Sequence, residues 1–85
     1  MFTKGKKYFV KSATDYFVGE CAKGAHDALL TKCSWVASTG RFHGAMASGV
    51  FDEVEPYPPK WIVTVHAGAI VSSCEWPHKL PVEAK

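Results

Sequence analysis

KYFVKSATDYFVGECAK, Lys7–Lys23, decides how this chain folds. Two apolar runs, Tyr8-Phe9-Val10 and Tyr16-Phe17-Val18, flank Ala13-Thr14-Asp15. Aromatic and β-branched side chains favour strands, and Thr14-Asp15 supplies turn chemistry, so the stretch predicts an antiparallel pair. Both faces of each run carry large apolar groups. One face is expected to enter a core, and the other to meet a partner or pack under an insertion. Gly19 lies inside the second run, where glycine weakens a strand unless the chain bends sharply or a second backbone crosses close by. The residue predicts a corner, with an ordinary bulge as the alternative.

Working outward, Lys23–Asp27 reads as a hairpin connection and Ala28–Val36 as a third strand. A period of two puts Leu29, Thr31, Cys33 and Trp35 on one face and Leu30, Lys32, Ser34 and Val36 on the other. From Ser38 to Gly49 the period changes. A short helix is expected from about Gly40 to Ser48, docked by Phe42 and Met46 and stopped by Gly49. FDEVEPYPPK, residues 51–60, carries Pro56, Pro58 and Pro59 and reads as a stiff irregular connection. Trp61–Val65 forms a fourth strand, His66-Ala67-Gly68 a tight return, and Ala69–Cys74 a fifth strand. Pro77 and Pro81 argue against any element in the tail. The whole predicts a mainly β fold: a five-stranded bent antiparallel sheet, closed as a small SH3-like barrel with one inserted helix. It reads as a single domain, 1–85, with an insertion at 37–59.

A chain of 85 residues buries only about 60% of the surface its unfolded form exposes. Yet 47% of its residues are hydrophobic, more than a tiny monomer readily hides, so part of that surface is expected to serve a subunit or ligand. The net charge of +2 falls short of a strongly basic nucleic-acid binder, and much of the positive charge sits early, at Lys4, Lys6, Lys7 and Lys11. Cys21, Cys33 and Cys74 form neither a close metal-binding pair nor a disulfide framework, and read as thiols in a reducing compartment. No apolar region follows the start and no run approaches membrane-spanning length, so a cytoplasmic protein without a membrane partner is expected.

With this order of elements the chain resembles the Sm-like family, including its Hfq branch, and especially small bacterial, phage and environmental members that carry a helical insertion. YFVKSATDYFVGECAKGAHDALLTKCSWV corresponds to the first three strands and WIVTVHAGAIVSS to the last two. Gly19 matches the glycine of the bent second strand and Gly68 that of the last turn. The resemblance implies cyclic homo-oligomers of six or seven copies, the fourth strand of one pairing with the fifth of the next. It also implies single-stranded RNA bound around the pore. The family's Asp-x-x-x-Asn element is missing from Gly24–Leu30, and its Arg-Gly-Asn chemistry is missing at Ala67-Gly68-Ala69.

On that arrangement His26, Asp27 and His66 are the polar candidates for a pore or RNA contact, since imidazoles hydrogen-bond and stack with bases. Lys4, Lys6, Lys7 and Lys11, interleaved with Tyr8 and Phe9, are candidates for an electrostatic surface facing phosphates. Trp35, Tyr57, Trp61 and Trp76 are the alternative, an aromatic cage for a peptide. Cys33, His43 and Asp52 supply nucleophile, base and orienter types without an elbow or oxyanion donor. The expectation is a non-catalytic ring-forming protein that binds itself and single-stranded RNA, with no cofactor and no metal. A protein- or peptide-binding scaffold without nucleic acid is the second reading.

Overall fold

The computed structural model describes residues 1–85. Its elements are β1 (Lys7–Ser12), β2 (Tyr16–Cys21), β3 (Ala28–Ser38), α1 (Phe42–Ser48), β4 (Glu53–Pro56), β5 (Val63–Val65), a 3-10 turn (Ala67–Ala69) and β6 (Ile70–Glu75). All strand pairs are antiparallel, in the order β4-β3-β2-β1-β6, and β5 pairs with the first part of β3.

The opening hairpin forms as its sequence predicts, with Phe9 opposite Val18 and Val10 opposite Phe17. Ser12 fixes the turn: its Oγ accepts from the Asp15 N–H at 2.9 Å and donates to the Asp15 carbonyl at 3.1 Å. Asp15 in turn accepts at 3.0 Å from the Trp35 indole, which ties the turn to β3. Gly19 is a close backbone crossing. A Cβ there would stand 3.0 Å from Leu30 Cβ and 3.1 Å from the Thr31 carbonyl oxygen. Opposite it the register slips, and Lys32 takes a left-handed φ of 49°. This bulge bends the sheet and resets the alternation of β3. Leu30 and Cys33 consequently share one core cluster while Val36 joins the other, which corrects the two-face assignment expected for this strand.

Both faces of the sheet are covered. One carries Phe2, Tyr8, Val10, Cys21, Ala28, Leu30, Cys33 and Val65. The other carries Phe9, Val18, Val36, Ala45, Phe51, Val54 and Trp76 beneath α1 and the tail. Trp76 is 3% exposed and stacks on Phe51 at 5.2 Å and on Phe9 at 5.7 Å. The tail thus completes a core despite its prolines. His78 also bonds the Met46 carbonyl at 2.7 Å, and Val54 and Lys85 exchange backbone hydrogen bonds at 3.0 and 2.8 Å.

The expected closed, five-stranded SH3-like barrel is not what the chain forms. The sheet has six strands and is open: β5 pairs only with β3, β6 only with β1, and the two are joined by the turn without a ladder between them. The extra strand is β4, within the segment expected to be irregular. Val54 is buried between exposed Glu53 and Glu55, and Pro56 stands at the strand's end, where a missing N–H is tolerated. Closure fails because β5 is only three residues long. The turn in which the Trp61 N–H bonds the Pro58 carbonyl ends at Trp61, and neither Trp61 nor Ile62 joins the strand that follows. The helix is also shorter than expected and is docked by buried Ala45 and half-buried Met46, with Phe42 left 52% exposed.

Candidate functional site

The bend of the sheet carries the start of β3 round to the turn before β6. Asp27, the last residue before β3, caps that turn: its Oδ1 accepts from the Ala67 N–H at 2.7 Å. Its Oδ2 lies 4.0 Å from His66 Nδ1. The two candidates therefore meet, at an exposed corner where solvent screens their attraction. His66 is 80% exposed on its side chain, and His26, the neighbour of Asp27, is exposed as well. The corner presents imidazole edges to solvent beside a carboxylate already engaged by backbone. It is equipped for hydrogen bonding and stacking with a planar ligand.

Two of the four candidate lysines are engaged within the chain. Lys6 Nζ pairs with Glu75 Oε1 at 3.3 Å, and Lys7 Nζ donates to the His78 carbonyl, where it helps hold the tail. Lys4 is exposed in the turn before β1. Lys11 alone stands among aromatic rings, 5.8 Å from the Tyr16 ring centroid.

That position is part of a groove sequence reading did not single out. Phe9, Lys11, Tyr16, Phe42, Ser72, Ser73 and Cys74 line a cavity of about 470 Å³ between α1 and β6. Register explains the gathering. Lys11 pairs with Tyr16 on β2 and with Ser72 on β6, and Phe9 pairs with Cys74, so these side chains share one sheet face. Alternation identifies the face of each residue, but only the fold brings Phe42 across to meet them.

The aromatic quartet is not assembled. Tyr57 and Trp61 approach to 6.3 Å, whereas Trp76 is core and Trp35 is bound to Asp15. Cys33 lies in one core cluster and His43 on α1, which covers the opposite face, so the conceivable triad is dispersed. Burial also pushes the Cys33 thiol up to about 12, the reverse of what a nucleophile needs. The three cysteines are free, Cys21 and Cys33 buried and Cys74 exposed. No three His, Cys, Asp or Glu side chains gather as metal ligands. No helix is long and apolar enough to cross a membrane. Comparisons with protein-family models, curated proteins and solved structures give no match to this chain.

Proposed function

We propose that the protein is a non-catalytic, Sm-like ring former whose copies join through the free edges of β5 and β6, and that the assembly binds single-stranded RNA. The observation that carries this reading is the pair of open edges, each with apolar side chains in solvent. Trp61 and Ile62 at the entry to β5 are 58% and 60% exposed, and Val71 on β6 is 62% exposed. An unpaired edge is a template for another strand. Joining two different edges makes a head-to-tail contact, which closes into a ring when the rotation between copies divides a full turn.

A ring would repeat the Asp27–His66 corner and its neighbour His26 once per copy. Repetition turns one modest polar corner into a multivalent surface. Light scattering at low micromolar concentration tests assembly, and a stable monomer would sink it. Retention of random-sequence RNA at several salt concentrations tests the ligand, with affinity expected to fall as salt rises. Replacing His26 and His66 together by Ala is expected to weaken binding while the assembly stays intact. No RNA retained at low salt, alongside one stoichiometric protein partner, would replace this reading with that of a protein-binding scaffold.

A further inference from the structure

We propose that the groove between α1 and β6 is a nucleotide site, with a nucleobase packed against Phe42 and Tyr16 and its phosphate held by Lys11. The proposal rests on the single-stranded RNA reading but assigns the base contact to a different place, away from the histidine corner. Phe9, 4% exposed, forms the floor. Tyr16 stacks on it at 5.3 Å, and Phe42 meets Phe9 at 6.2 Å and Tyr16 at 6.4 Å. Phe42 is half exposed at the start of a helix that buries only Ala45, so its ring is not committed to holding α1 in place.

The chemistry of the rim selects the ligand. Lys11 is the only charged residue lining the groove, and no carboxylate lies within 4.0 Å of it. A purely apolar ligand would leave that ammonium unused, and a simple anion would leave three rings unused. A planar ring bearing a phosphate uses both, through base–aromatic stacking and charge. Ser72, which pairs with Lys11 and shares its face, adds a hydroxyl that donates and accepts, as the polar edge of a base requires. A volume of about 470 Å³ holds one nucleotide. Strand pairing at β6 runs in the plane of the sheet, whereas this groove opens above it, so assembly and occupancy are compatible.

The test is fluorescence anisotropy of labelled oligouridylate and oligoadenylate on the full chain across a salt series, with adenosine monophosphate followed by amide chemical shifts. Phe42→Leu is expected to weaken oligonucleotide binding roughly tenfold, and Phe42→Trp to retain it. Lys11→Gln is expected to lower the slope of log affinity against log salt by about 0.7 for each phosphate the side chain no longer neutralises. The monophosphate should shift the amides of Ser72, Ser73 and Phe42, and thermal melts of the variants should match the parent. Oligonucleotide binding untouched by Phe42→Leu and Lys11→Gln, but abolished on replacing His26 and His66, would overturn the groove and leave the RNA reading standing. Monophosphate shifts at the groove without oligonucleotide binding would keep the site and overturn the RNA reading. Neither ligand binding at low salt would end both.

Discussion

Gly19 in β2 and Gly68 in the turn before β6 were both singled out in the sequence, yet only one is sterically required. At Gly19 the neighbours are Leu30 Cβ, the Thr31 carbonyl and Cys33 Cα, within 3.0 to 3.2 Å of an added Cβ, and two of these are backbone that cannot step aside. Gly19→Ala is expected to cost about 1–3 kcal/mol, read as a lower denaturant midpoint at unchanged slope. Nothing lies within 4 Å of the corresponding point on Gly68, so Gly68→Ala should fall within about 0.5 kcal/mol of the parent. Cys33 makes a pH prediction. Its thiol, 2% exposed, is raised from 9.0 to about 12 by burial, so the unfolded chain loses this proton first. The contribution is complete below pH 9 and is lost as pH rises toward 12, by up to about 1.4 kcal/mol per pH unit. Unfolding measured from about pH 8 to 11 should therefore decline more steeply for the parent than for Cys33→Ala. Equal slopes would mean that water reaches the thiol.

At the scale of elements, the tail and the helix exchange the roles their sequences imply. Trp76 lies after the last strand among prolines, yet it fills the core between Phe9 and Phe51, and Trp76→Ala is expected to cost about 3–5 kcal/mol. Phe42, read as the anchor of α1, is half exposed, and Phe42→Ala should cost under about 1 kcal/mol by the same denaturant measurement. Comparable costs for the two would show that α1 is clamped by Phe42 after all. The opening hairpin was legible because its alternation and turn chemistry are local. β4 was obscured by three prolines close together, although the alternation of Glu53, Val54 and Glu55 was present to be read. The face change at Lys32 was not legible, because that bulge is imposed by pairing against Gly19 across two strands. The site divides similarly. His26, Asp27 and His66 were found as polar loop residues, but the groove exists only where β1, β2, α1 and β6 converge.

For the whole molecule, the failure to close leaves one edge each of β5 and β6 without a strand partner, and the proposed ring uses those two edges. The backbone of β6 allows that role to be tested without touching the core. The Trp76 N–H donates to the Lys7 carbonyl, so alternation turns the Cys74 and Ser72 N–H groups toward β1 and the Ser73 N–H toward the free edge. Proline removes that outward donor, and an edge strand tolerates it there. Ser73 is exposed, so replacing its side chain disturbs little packing. Ser73→Pro is therefore expected to retain a cooperative thermal transition while its scattering mass falls to that of a single chain. Ser73→Lys, which keeps the N–H and adds charge at the edge, should weaken association and make it recover as salt rises. If Ser73→Pro folds and assembles as the parent does, the copies do not meet through β6 and the strand-continuation ring is wrong. A folded Ser73→Pro monomer, beside a Ser73→Lys protein that assembles at high salt, would place the contact in the backbone of this one strand.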